Sequence, residues 1–278
     1  MKHCIIILLS LVLAVIPAHG QSRDYSQLKN WLEIPSFTED NNHFLIIHYT
    51  DEYWGRQRNF CVFWDVQKQI PLWVAYPLNK KLIGRGQRSG SWQYDAFVST
   101  KKQPNLRKTY QAGNVEGYIR GHLCPSSDRL SAEMNQQTFF FTNVAPQDPY
   151  LNGGLWSYLE DEVRRLALDA DDAWVVTGCI DDDDSNWVTD MNRKRISVPE
   201  MFFKAVLTLK DDGNPTTIDY VATAWIVENR SYGFSGFETK AAACSVSTDK
   251  VEQITKLDLW PTLTKIIGVS ASEIVERQ

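Results

Sequence analysis

Short apolar runs, rich in β-branched and aromatic residues, set the rhythm of this chain. His43 to Thr50 and residues 59–65 predict strands, and Pro71 to Leu78 is a further apolar run broken by prolines. Residues 137–145 predict a strand that runs into a loop at Pro146. The period changes between Gly154 and Ala167. Leu155, Leu159, Val163 and Leu166 recur at helical spacing, with Glu160 and Arg164 on a neighbouring face. Trp174 to Gly178, Phe202 to Leu209 and Tyr220 to Val227 have the composition of buried strands. The segments from Asp249 to Leu257 and from Ile266 onward are helical in pattern. Strands dominate without a regular βαβ alternation, which predicts an α+β fold with a mixed or antiparallel sheet.

The first twenty residues stand apart. Met1-Lys2-His3 precedes an apolar run from Cys4 to Pro17, followed by Ala18-His19-Gly20. A basic start, a short apolar core and small residues around a cut predict a signal peptide cleaved after Gly20. The run falls short of the roughly 20 residues that span a bilayer, and no later stretch approaches that length. The expectation is an exported protein, periplasmic or secreted, with no membrane anchor. Residues 21–278 contain no repeat, low-complexity stretch or linker and are read as one domain. Cys61, Cys124, Cys179 and Cys244 remain, and both disulfides and buried thiols are open for them.

The chain carries a formal net charge of −5. That argues at first sight against a polyanionic substrate, but the distribution matters more than the sum. Between Lys80 and Arg129 lie ten basic residues (Lys80, Lys81, Arg85, Arg88, Lys101, Lys102, Arg107, Lys108, Arg120 and Arg129). Only Asp95, Glu116 and Asp128 oppose them, a local net of +7. Acid gathers elsewhere, at Asp169 to Asp172 (with Ala170 between) and Asp181 to Asp184. The latter run lacks the glycine and terminal glutamate of a calcium loop and reads as a solvated loop.

The basic segment contains Gly117-Tyr118-Ile119-Arg120-Gly121-His122-Leu123-Cys124-Pro125. A neutral imidazole such as His122 is a suitable general base near neutral pH. Gly121 beside it allows close backbone approach or unusual dihedrals. Asn152 precedes the 154–167 helix, and its carboxamide oxygen is a hard neutral ligand acceptable to Mg²⁺. Glu160 and Arg164 lie four apart and share a helix face. Each alone also fits a bland role: a loop histidine, a turn residue, a surface ion pair. No second half of a zinc site accompanies His122 and Cys124, and no Gly-x-Ser-x-Gly element is present.

Together these residues form a more specific pattern. Arg120-Gly121-His122, Thr142-Asn143-Val144-Ala145-Pro146-Gln147 and Asn152-x3-Trp156-x2-Leu159-Glu160-x3-Arg164 resemble the DNA/RNA non-specific endonucleases, secreted nucleases with a ββα-metal (His-finger) site. The spacings of 30 from histidine to asparagine, 8 to glutamate and 4 to arginine fit. The resemblance covers residues 30–262, including Trp73-Val74-Ala75-Tyr76, Phe203-Lys204 and Leu257-Asp258-Leu259-Trp260-Pro261. It implies His122 as general base, Asn152 as ligand of Mg²⁺ (or Mn²⁺) and Glu160 as holder of the metal's waters. It further implies Arg120, Arg164 and an upstream arginine on the phosphate, with Asn143 and Gly121 in support. Arg88 is the upstream choice and Arg85 its alternative. The implied substrates are DNA and RNA, and the implied products carry 5′-phosphates. The family usually has Asp where this chain has Ile119, so a catalytically weakened homologue that binds nucleic acid or protein is the alternative reading.

Overall fold

The computed structural model describes residues 31–52, 55–84, 88, 90–129, 131–211, 218–267 and 275–276. The expected signal peptide and Arg85 lie outside the described residues. Three long strands come first: β1 (His43–Glu52), β2 (Gly55–Asp65) and β3 (Ile70–Leu78). A long excursion leads to β4 (Ile119–His122), α1 (Ala132–Gln137) and β5 (Val144–Gln147). After β5 the chain enters α2 (Pro149–Leu151), a π-helical turn over Asn152–Trp156, and α3 (Ser157–Asp169). The sheet resumes with β6 (Asp172–Ile180), interrupted by the small hairpin β7 (Trp187–Thr189) and β8 (Arg195–Ser197). It continues with β9 (Met201–Asp211) and β10 (Ile218–Glu228). Then follow α4 (Phe237–Ala243), β11 (Ser245–Val246), α5 (Thr248–Thr255), α6 (Pro261–Ile267) and β12 (Val275–Glu276).

The main sheet runs β1-β2-β3-β6-β9-β10-β11, with β12 also paired to β10. Neighbours are antiparallel except β10 and β12. The α+β expectation with a mixed, chiefly antiparallel sheet holds. Its strands are buried on both faces, so their side chains sort by parity. Phe60, Val62 and Trp64 of β2 join one core, and Cys61 and Phe63 the other. On β9, Phe202 and Val206 face the first core while Phe203, Ala205 and Leu207 face the second. Helices α5 and α6 cover the second face through Val251 and Leu263. The first face carries β5 and α3 through Val144, Ala145, Leu159 and Val163.

The structure departs from the sequence reading in two segments. The run 137–145 is strand only at its end, Val144 and Ala145. It passes from α1 through a turn and a 3₁₀ turn at Phe141–Asn143, and pairing begins at Val144 and continues through Pro146. Its three phenylalanines go three ways, Phe139 to His122, Phe140 to His48 and Phe141 to Tyr94. A strand pointing alternate side chains to two faces cannot do that. Of the segment from Ile266 onward, Ile266 and Ile267 belong to α6, residues 268–274 lie outside the described residues, and Val275–Glu276 form a strand in parallel with Val221 and Ala222 rather than a helix. Glu160 and Arg164 share α3, but Arg164 turns to Asp128 and Asp161. The four cysteines are free thiols, three of them buried. Among the described residues no helix is long and apolar enough to cross a membrane.

Candidate active site

The site begins with a two-stranded ladder. β4 and β5 pair as Ile119 with Gln147, Arg120 with Pro146, Gly121 with Ala145 and His122 with Val144. Ile119 therefore sits in unbroken register, and the residue that replaces the family's aspartate leaves His122 at its place on the ladder. Asn143 fixes the turn beyond. Its Oδ1 accepts from the Cys124 N–H (2.9 Å), and its Nδ2 donates to the carbonyls of Cys124 (2.9 Å) and Thr138 (2.8 Å). A buried carboxamide that satisfies three backbone groups is a rigid clamp, here gripping the residues just after His122.

Gly121 is required by close approach rather than by dihedral. A Cβ there would lie 2.3 Å from Gln147 Oε1 and 2.6 Å from Gln147 Cβ. The space a side chain would fill belongs to Gln147. That glutamine accepts from Asn152 Nδ2 at 2.6 Å, which fixes the orientation of the Asn152 amide. Asn152 itself starts the π-helical turn that follows α2. Asp148 caps that short helix, accepting from the N–H groups of Tyr150 (2.8 Å) and Leu151 (2.9 Å).

His122 is 8% exposed, and its Nε2 has no hydrogen-bond partner. Leaving a buried nitrogen unpaired costs roughly 1–3 kcal/mol, so the arrangement is not explained by packing. Trp92 lies against the ring at 5.0 Å between centroids, and Phe139 meets it edge-on at 5.2 Å. Burial, reinforced by the nearby Arg88 and Arg120 charges, pushes the imidazole down to about 3. The ring is neutral at every physiological pH. The Arg120 guanidinium stacks over Trp92 at 4.2 Å and donates through Nη1 to the Leu106 carbonyl at 2.6 Å. Exposed Arg88 lies over Phe139 at 5.4 Å, the same ring that contacts His122. Two cations of the basic segment thus converge on one neutral base.

A charged cluster stands behind the base. Arg164 donates to buried Asp128 (2.8 Å) and to Asp161 (2.5 Å), and these carboxylates hold its guanidinium above its ordinary range against the cost of burial. Burial pushes Glu160 up, with Lys204 and Arg164 pulling it back. Burial likewise pushes Lys204 down, opposed by Glu160 and Asp128. Lys204 lies 4.0 Å from the centroid of Trp156, whose indole N–H donates to the His122 carbonyl at 3.2 Å. Sequence reasoning gave Lys204, Trp92, Asp128 and Gln147 no role. The signal for Lys204 was a lone cation inside an apolar strand; Asp128 offered none, because its partner is distant in sequence.

Among the described residues no group of three or more His, Cys, Asp or Glu side chains stands ready to hold a metal. A hard cation that keeps most of its waters needs no such group. The Asn152 carboxamide oriented by Gln147, with the Glu160 carboxylate on the helix that follows, is the donor chemistry that kind of ion takes. The acidic run is otherwise engaged: Lys68 pairs with Asp181 at 2.9 Å and Arg195 with Asp184 at 3.1 Å.

Known proteins resemble this chain in sequence and in fold. The chain is 27% identical over 225 residues to a mitochondrial nuclease EXOG of Xenopus laevis, covering 76% of this chain and 59% of that protein. It is 26% identical over 227 residues to a nuclease of Nostoc sp., covering 81% and 80%. The chain spans less than two thirds of the length of the EXOG relatives it matches. Among solved structures, a chain of the EndoG/EndoGI complex superposes with a TM-score of 0.64 at 19% identity, covering 83% of this chain and 90% of that one. That likeness shows a shared overall fold. The family model of DNA/RNA non-specific endonucleases matches residues 47–265, and the chain belongs to that family.

Proposed function

We propose that this chain is a metal-dependent endonuclease that hydrolyses phosphodiester bonds of DNA and RNA with little sequence preference. The observation that carries the reading is His122: buried, neutral, unpartnered at Nε2 and flanked by Arg88 and Arg120. The unpaired imidazole nitrogen is free to accept a proton from water; burial and the two cations lower its basicity without substrate, and the negative charge of a bound phosphate raises it toward the working pH. The charges that act on His122 are those of Arg88 and Arg120, which suit an anionic phosphate.

Mg²⁺ (or Mn²⁺), when bound, draws negative charge from the phosphate and the leaving oxygen. Asn152 would hold it through the oxygen that Gln147 leaves unused, and Glu160 would orient its waters. Arg120 and Arg88 meet the charge that grows on the phosphate. Arg164, engaged by Asp128 and Asp161, serves by holding α3 and Glu160 in place as well as by its field. The products would carry 5′-phosphates. Contacts to phosphate and sugar convey no base identity, hence the weak sequence preference. We further propose that residues 1–20 direct export, which places the mature chain in the periplasm or outside the cell.

The test is degradation of supercoiled plasmid and of total RNA by the chain from Gln21, with Mg²⁺, with Mn²⁺ and with EDTA. Cleavage of both substrates that EDTA abolishes supports the proposal. Intact substrates with a folded protein overturn it and leave the binding homologue that Ile119 raised.

A further inference from the structure

Beside Asn152 lies a feature that hydrolysis itself does not need. Pro149, Tyr150, Gly153, Gly154, Phe234 and Phe237 line a cleft of about 180 Å³. Tyr150 is 54% exposed and Phe234 81%, and their rings meet edge to face at 5.4 Å. Among the described residues only Phe97, Leu168 and Met191 are comparably exposed large hydrophobics, so two of five such side chains meet at this one spot.

Phe234 is exposed on a tethered loop. Gly233 (φ +75°) and Gly236 (φ +67°) bracket it in left-handed backbone, and the Lys240 ammonium donates to the carbonyls of Tyr232 and Ser235 on either side. The Ser231 hydroxyl accepts from the Gly233 N–H at 3.2 Å. On the other wall, Gly153 leaves open space where a Cβ would stand, and Gly154 breaks the helical backbone. Asn229 ties the two walls, accepting from the Asp148 N–H at 2.8 Å and donating to the Pro146 carbonyl at 3.1 Å. The aromatic pair is therefore held at a fixed offset from Asn152.

We propose that Tyr150 and Phe234 form a stacking platform for one unpaired nucleobase next to the phosphate whose metal Asn152 would hold, favouring single-stranded over duplex substrate. This rests on the nuclease reading above. Every base presents a π-face, so stacking on an aromatic side chain is tolerant of sequence. In a duplex those faces are covered, and a base must be drawn out before an aromatic ring can take it. The cleft has room for one planar base. A stable protein interface needs about 800 Å² from each partner, whereas this patch is two rings wide and bordered by Asp148, Asn152, Ser231 and Ser235.

The experiment measures binding in EDTA, by fluorescence anisotropy, of a labelled single-stranded oligonucleotide and an abasic strand of equal length. Wild type, Phe234→Ala, Phe234→Leu and Phe234→Trp are compared. Stacking predicts about tenfold weaker binding of the base-bearing strand by the Ala and Leu variants, restoration by Trp, and no change on the abasic strand. In Mg²⁺, turnover of the single strand should fall in parallel while duplex turnover holds. Equal weakening on both strands, or none on either, overturns the platform and favours a protein partner there. A wild type that binds both strands yet cleaves neither removes the nuclease reading alone, because the anisotropy comparison still decides the platform.

Discussion

Two buried histidines, both on the same side of the main sheet, live in nearly matching aromatic cages. His48 touches Phe60, Phe97 and Phe140; His122 touches Trp92 and Phe139. The difference is electrostatic. His48 Nε2 faces the Asp95 carboxylate at 2.8 Å, and the Thr142 hydroxyl donates to the same carboxylate at 2.6 Å. His122 faces Arg88 and Arg120 and finds no partner for Nε2. One histidine is bound into the structure by a counter-charge. His48 Nδ1 is likewise without a partner, so an unpaired ring nitrogen does not separate the two; what separates them is that His122 has cations and no carboxylate beside it, a setting an anionic phosphate completes. Adjacent residues Phe139 and Phe140 serve one cage each, so one loop contributes a ring to both.

The largest way to break the structural half is Asp95→Ala. Removing one member of a buried pair typically costs about 3–5 kcal/mol, so thermal melting should show a marked drop. Turnover per folded molecule should stay near wild type, and a loss of turnover at full foldedness would show that the clamp shapes the site as well. Gln147→Leu attacks the functional half without touching His122. Freeing the Asn152 amide should weaken metal activation by roughly 10–100-fold, the range for residues that orient a metal ligand. A Mg²⁺ titration of activity reads this directly, with melting unchanged.

The smallest effect is one of pH. His122 has a folded value near 3, well below the ordinary 6.5. The unfolded chain therefore binds a proton first as pH falls, and stability declines from about pH 6.5 downward. His122→Gln should flatten that decline in urea melts taken between pH 7 and pH 4. Asp95 behaves differently. Burial raises its carboxyl, but His48, Thr142 and the Phe97 N–H outweigh it and hold the group below its ordinary value. Its contribution is intact above about pH 4 and lost on further acidification through the folded value. A wild-type melt with no slope between pH 7 and pH 5 would contradict the burial of a neutral His122.

Much of this was legible in the chain because strands buried on both faces read as dense apolar runs. The segments from 43, 59, 71, 174, 202 and 220 all fall inside strands. The site was legible because its parts are close in sequence: Arg120 to His122 on β4, then Asn152 and Glu160 within one helical entry. What escaped was long-range. Phe139, Phe140 and Phe141 have strand composition, yet each fills a different cavity, and no local period encodes that. Asp128 gives no sign in sequence that it anchors Arg164, 36 residues on. Gln147 sat inside the quoted motif, but its hold on Asn152 depends on the absent side chain of Gly121. The helix start was misplaced because Gly153 and Gly154 open a π-helical turn that the 3.6-residue period does not describe.

The central claim is that the histidine with no carboxylate beside it, not the one paired with Asp95, carries the chemistry. Mg²⁺-dependent cleavage of supercoiled plasmid by His122→Ala and His48→Gln, compared at equal folded fraction, tests it most directly. The account predicts a fall of roughly 10²-fold or more for His122→Ala, the range for a lost general base, and turnover near wild type for His48→Gln. Retained cleavage in His122→Ala, or an equal loss in both variants, would contradict it.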